Sequence, residues 1–277
     1  MTAAAARAAH LLVDSEPRIF ADTLAGLLLG DKAETYIRYH SEHGDHPLLA
    51  DTRTQATCRS RFTEDQLALA AERGITQYVI LGAGLDSFAC RSGLAGRLRV
   101  FEVDHPATQE RKRAVLAAAG LAEPPTLTWV PVNFETDELT ASLTAAGLDP
   151  AAPAFVSWLG VTMYLTAEAI GATLASLSRL APGSELVADY MLTADLRDAD
   201  GATYAGLVMP DSERRGELWL SFFTPEQMTG LLTRHGFTGV RHVRQRDAVS
   251  AALWERTDRL RPIELSRLCH AIVGTGG

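Results

Sequence analysis

The sequence predicts an α/β fold: a doubly wound, mostly parallel sheet with helices on both faces, preceded by a helical N-terminal segment. Three observations predict it. From Thr76 onward, short apolar runs alternate with stretches of helical spacing, the pattern of repeated strand–helix–strand units. The first run, in "QYVILGAGLDS" (77–87), ends in a glycine turn made by Gly82, Ala83 and Gly84. The second, "LRVFEVD" (98–104), ends in two acids, Glu102 and Asp104, and an acid about 20 residues past such a turn is where ribose hydroxyls are bound in this architecture.

The remaining elements follow in order. Residues 1–75 form a helical cap: "EPRIFADTLAGLLLG" (16–30) and "TEDQLALAAERG" (63–74) carry apolar residues at helical spacing and each stops at Gly. Between them "RYHSEHGDHPLLAD" (38–51) is polar and interrupted by Gly44 and Pro47, which predicts a loop. Residues 76–277 form the sheet domain. After the first two strands come "LTWVPVNF" (127–134), "PAFVSWLG" (153–160) and "SELVADYML" (184–192). Helices alternate with them: one opened by Pro106, one over 137–147, one capped by Thr166, and one in "TPEQMTGLLTRHG" (224–236). A terminal strand pair is expected in "TGVRHVR" (238–244) and "VSAALWER" (249–256). The stretch 190–222 has no clear period and gathers Met209, Pro210, Trp219, Phe222 and Phe223; it is the expected lid and substrate wall, unless those aromatics are core residues beneath a lid.

Composition narrows the partners. The chain of 277 residues carries a net charge of -8 and no basic stripe, which argues against nucleic acid or an anionic membrane. No apolar run approaches the ~20 residues of a membrane span, and "MTAAAARAAHLLVDSE" reads as the lead-in to a helix rather than a signal peptide. Cys58, Cys90 and Cys269 form no CxxC pair; reduced thiols in a cytoplasmic protein are expected.

The turn itself selects a ligand. Gly82 and Gly84 let a ligand approach the backbone, but position 87 is Ser rather than a third glycine, and Asp86 is an anion where a pyrophosphate would lie. A ligand with a cationic amino-acid part tolerates that acid. S-adenosyl-L-methionine, with its sulfonium and α-ammonium, is favoured over a nicotinamide dinucleotide. Glu102 and Asp104 share a strand face by alternation, with Asp104 nearer the crevice; the alternative is that both merely finish a strand at the surface.

At this point "LGAGLDS", "FEVDHP", "VPVNFE" and "WLGVTMYL", with "CRSRFTED" before them, resemble the leucine carboxyl methyltransferase family, and more closely its bacterial branch of polyketide-type O-methyltransferases. The resemblance runs from about residue 50 to 190. It implies a class I methyltransferase: a Rossmann-like seven-stranded sheet with an antiparallel last strand, extra N-terminal helices and an inserted lid. It implies S-adenosyl-L-methionine as cofactor, Arg59 as partner of its carboxylate, the Gly82 turn as its close contact and Asp104 as its ribose acid. Asn133 and Phe134 stand where the family holds adenine, with His105 packing beside it. Leu159 stands where members carry Glu near the cofactor's amino group, so Asp86 is left to cover the ammonium. Read without the family, Arg59 and Arg61 could instead pair with Glu64 or Asp65 on a helix surface.

The acceptor is expected to be a carboxylate or hydroxyl of a small, apolar or aromatic molecule. A carboxylate is ionised at neutral pH and needs no base, whereas a phenol does. Weak candidates for such a group are His43, in the loop before Arg59, and Tyr164 and Tyr190, near the ends of the fourth and fifth strands; either tyrosine reads equally as a core aromatic. His40, His43 and His46 sit three apart, but Gly44 and Pro47 break the helix that would align them, so no metal is expected. Leu159 also leaves open an enzyme of this fold that catalyses a reaction other than methyl transfer.

Overall fold

The computed structural model describes residues 1–134 and 137–275. Five parallel strands alternate with helices as expected: β1 (Gln77–Leu81), β2 (Arg99–Asp104), β3 (Leu127–Pro131), β4 (Ala154–Trp158) and β5 (Glu185–Met191). The chain closes with β6 (Phe237–Arg244) and β7 (Ser266–Val273). They form one seven-stranded sheet of order β3-β2-β1-β4-β5-β7-β6, in which β7 pairs antiparallel with both of its neighbours. The strand order reverses between β1 and β4, and the carboxyl ends beside such a reversal are where ligands bind in doubly wound sheets.

The helices are α1 (Thr2–Val13), α2 (Ala25–Leu28), α3 (Ala33–Glu42), α4 (Pro47–Glu72), α5 (Phe88–Arg91), α6 (Pro106–Ala118), α7 (Leu139–Ala145), α8 (Ala167–Leu177), α9 (Ala199–Arg214) and α10 (Pro225–Arg234). Side chains alternate along each strand, so each strand feeds two cores. Val79, Val156, Trp158 and Ala188 pack with Leu143 of α7, Leu174 of α8 and Leu231 of α10. Tyr78, Ile80, Phe155 and Val187 pack on the other face with Phe62 and Leu67 of α4 and Phe88 of α5.

Several expectations change. Of the helix expected over 16–30, only Ala25–Leu28 is α-helical, the four-residue α2. The polar stretch 38–51 is largely helical: α3 runs to Glu42, and Pro47 opens α4 rather than breaking it, because the first helical position needs no N–H. The helix expected from Thr63 is the second half of the 26-residue α4; the Thr63 hydroxyl is buried mid-helix and caps nothing. The last strand is Ser266–Val273, whereas 249–256 forms a tight helical turn at Ala251–Trp254. The lid also has a period of its own. Its core is α9, capped at Asp198, with Pro210 inside the helix.

Candidate active site

Two cavities meet at the carboxyl edge of β1 and β4. The smaller, about 180 Å³, is lined by the turn Gly82–Asp86, Arg7, Arg59, Ser157 and Leu159. The larger, about 390 Å³, lies under the lid and is lined by Tyr36, Thr52, Met163, Tyr164, Met191, Tyr204, Ser212, Arg215 and Trp219 among others. Met1, Ala3, Arg59 and Gly160 line both.

The backbone makes the smaller cavity. Gly82 sits at φ 64°, and a Cβ there would stand 2.6 Å from the Val161 side chain; only glycine brings the turn this close to the loop after β4. The next peptide is held from below. Asp104 accepts from the Gly84 N–H at 2.6 Å and from the His105 N–H at 2.7 Å. Asp86 accepts from the Phe88 N–H at 2.7 Å while lining the cavity. Behind the turn, Asp22 is buried and receives the Ser87 hydroxyl and the Arg7 guanidinium, and Arg7 also donates to the Leu85 carbonyl. The N-terminal segment therefore fixes the cofactor turn from outside the sheet.

Arg59 enters from α4. Its Nη1 donates to Asp189 at 2.9 Å, and Asp189 also accepts from the Gly160 N–H at 2.6 Å. The guanidinium lies flat on Gly160, where a Cβ would come within 2.6 Å of Nη2. Of the surface pairing considered for these arginines, Arg61 makes it, with Asp65 on α4, whereas Arg59 does not, and Glu64 takes Arg91.

The donor set fits S-adenosyl-L-methionine. Among the described side chains, the cavity wall offers the Arg59 guanidinium with N–H groups unpaired and an acid on the turn, Asp86, while Asp104 braces that turn from behind. Those side chains offer no cluster of free cations for a pyrophosphate: Arg7 is already committed to Asp22 and Leu85.

The structure thus brings together Arg59, Gly82, Ala83, Gly84, Asp86 and Leu159, with Asp104 against the turn and Tyr164 in the adjoining cavity. His105, Asn133 and Phe134 follow the ends of β2 and β3, on the same edge but lining neither cavity. Three candidates are displaced. Glu102 is buried under α6 against Lys112 at 2.5 Å, and burial raises its carboxyl to about 7; it is an internal ion pair, not a ribose ligand. Tyr190 is fully buried, hydrogen-bonded to His242, and faces the α7–α8–α10 core. His43 ends α3 at the surface against Tyr39, away from both cavities. Asp189 was the residue sequence reasoning missed. Its signal was an acid inside the apolar run "SELVADYML", one position from Tyr190 and so on the opposite face.

The sheet order and the paired cavities define the fold first: a seven-stranded α/β architecture with a ligand crevice at the β1–β4 switch point. A solved structure from Thermobifida fusca, titled provisionally as a methyltransferase, shares the fold with a TM-score of 0.59 at 19% identity, over 90% of this chain and 92% of that one. The family follows. The leucine carboxyl methyltransferase model matches residues 1–178, and the chain belongs to that family. A Bacillus subtilis protein provisionally named an S-adenosyl-L-methionine-dependent methyltransferase is 33% identical over 216 residues, covering 77% of this chain and 71% of that protein. A Mycobacterium avium relative with the same provisional name is 34% identical over 167 residues, 59% of this chain and 50% of its own. The chain thus spans about half the length of that mycobacterial relative. Among the described residues no helix is long and apolar enough to cross a membrane, and no cluster of side chains could hold a metal ion.

Leu159 gives a first test. It shares the cavity wall with Arg59 and Ser157 and packs against the α4-side core. Leu159→Glu should tighten S-adenosyl-L-methionine binding about tenfold, the effect of one added charge-assisted hydrogen bond. Calorimetry decides; weaker binding by a folded variant would show a wall built for an apolar contact.

Proposed function

We propose that the protein is an O-methyltransferase acting on a small molecule held in the larger cavity, and that the oxygen it methylates belongs to a carboxylate. One observation carries the choice: among the described residues no histidine lines that cavity. Two of its three phenols, Tyr164 and Tyr204, are also held in the protonated form by burial, which raises both. The lining acid is Glu217, exposed at the rim.

S-adenosyl-L-methionine supplies an electrophilic methyl carbon on a sulfonium. The chain's task is then placement. Arg59 would hold the cofactor's carboxylate, and the Gly82–Asp86 turn would seat it beside the mouth at Gly160 that both cavities share. In the larger cavity, Met163, Met191, Val208 and Trp219 present apolar surface suited to a flat, apolar acceptor such as a polyketide-type metabolite. Arg215 and Tyr36 offer donors to its polar end. The lid keeps water out, and alignment supplies much of the rate. No proton need move.

The expected result is a turnover without a histidine-like ionisation between about pH 6 and 8. His43→Ala, His105→Ala and Glu217→Gln should each stay within a few-fold of the parent. A loss of about a hundredfold in any of them, with cofactor binding intact, would reveal a general base and a hydroxyl acceptor instead.

A further inference from the structure

We propose that Asp189 is a positioning residue for the cofactor: it fixes the Arg59 fork so that its remaining N–H groups face the cofactor's carboxylate. This rests on the reading of Arg59 given above.

Asp189 lies near the end of β5 and is 1% exposed. Its two oxygens bind two different walls of the shared mouth, Arg59 Nη1 from α4 and the Gly160 N–H from the loop after β4. The Thr162 hydroxyl, at 2.6 Å, holds the backbone carbonyl of the same residue. The acid is therefore held at two points before it meets the arginine. A carboxylate this buried is costly unless it is paired, and here the pair serves as an anchor. Asp189 occupies one end of the guanidinium. Gly160 supplies the flat seat beneath it, and among the described residues Nε and Nη2 have no hydrogen-bond partner. A planar fork held at one end presents the other in a fixed direction, and the direction left open is the mouth common to both cavities.

Asp189 is the one carboxylate in contact with Arg59 among the described residues, so the fork's orientation depends on that acid and on the Gly160 seat.

Two probes separate positioning from general structure. S-adenosyl-L-homocysteine carries the amino-acid carboxylate; 5′-methylthioadenosine shares the nucleoside and lacks it. Asp189→Asn should weaken S-adenosyl-L-homocysteine at least tenfold and leave 5′-methylthioadenosine within about twofold, by calorimetry on protein shown folded by circular dichroism. Arg59→Gln should give the same split, and adding Asp189→Asn to it should change neither affinity further. If Arg59→Gln loses no discrimination between the probes, the reading of Arg59 itself fails. If Arg59→Gln gives the split and Asp189→Asn does not, or weakens both probes alike, the role of Asp189 fails alone. Should Asp189→Asn not fold, Arg59→Lys replaces it. A lysine keeps the charge but cannot bind Asp189 and the cofactor as one rigid fork, so S-adenosyl-L-homocysteine affinity should fall toward that of Arg59→Gln. Full affinity in Arg59→Lys would overturn the proposal.

Discussion

Asp104→Ala should weaken S-adenosyl-L-methionine binding by about 1.5–3 kcal/mol, the range for a hydrogen bond to a charged group. That is a loss of roughly ten- to 150-fold. The carboxylate closes β2 and faces the turn, where Gly84 and His105 donate to its two oxygens. On the proposed reading, truncation removes the expected ligand to the ribose and loosens the Gly84 peptide that Asp104 braces. Asp104→Asn separates the two effects. The amide keeps one acceptor oxygen for the Gly84 N–H but loses the charge, so it should fall between the parent and the alanine variant. Calorimetry on folded protein measures both. Unchanged affinity in Asp104→Ala would make the residue a brace for the turn and nothing more.

A larger effect, on stability, is expected from Asp14→Ala. Arg53 of α4 is 1% exposed and takes both oxygens of Asp14, each at 2.8 Å. His10 donates from Nδ1 to the same carboxylate, while its Nε2 accepts from the Ile19 N–H. Gly44 and His40 complete the ring around Arg53. Removing the carboxylate strands a buried guanidinium, at a cost of about 3–5 kcal/mol measurable by urea unfolding. A double variant, Asp14→Leu with Arg53→Met, should recover most of it, because the penalty belongs to the unpaired charge.

The same cluster sets an acid limit. Burial, and then the charge of Arg53, lowers His40 to about 4. The unfolded chain binds a proton near pH 6.5 that the folded chain refuses, so stability is full above that pH and falls as pH drops toward 4. At pH 5 the loss should be roughly 2 kcal/mol from His40 alone. His40→Gln should flatten that part of the pH dependence. For Asp14 burial acts upward, but hydrogen bonds from His10 and Arg53 outweigh it and the carboxyl ends lowered. Its contribution is present above the ordinary carboxylate range and is lost only at more acid pH.

The five parallel strands were legible to within a residue or two at their starts, because strands buried on both faces read as unbroken apolar runs between turn signals. β7 was not. It also sits inside the sheet, but its run is interrupted by Arg267 and His270, and His270 is satisfied by Glu185, 85 residues away; local pattern cannot show such a partner. The region 249–256 has the better apolar pattern and yet turns. In the site, the residues of the glycine turn were legible because backbone geometry demanded them. Glu102 misled, since alternation gives a side chain's face but not the Lys112 waiting beneath it. Asp189 was hidden because its partner, Arg59, comes from a helix 130 residues earlier.

The two cavities draw on separable lengths of chain. The cofactor's walls are strand ends and the turns that follow them, locked into a sheet whose register every neighbour shares. Much of the larger cavity's wall is α9 and the segment after it, carrying Tyr204, Ser212, Arg215 and Trp219, all beyond residue 178, where the family match ends. Asp198 caps α9 and also receives the Glu264 N–H, so the helix is fastened at its start. Within it, Pro210 cannot donate to the Gly206 carbonyl one turn earlier. On the function proposed above, substitutions along 204–219 should change acceptor choice at little cost to the binding of the methyl donor, and a library confined to that segment is the economical route to a new acceptor.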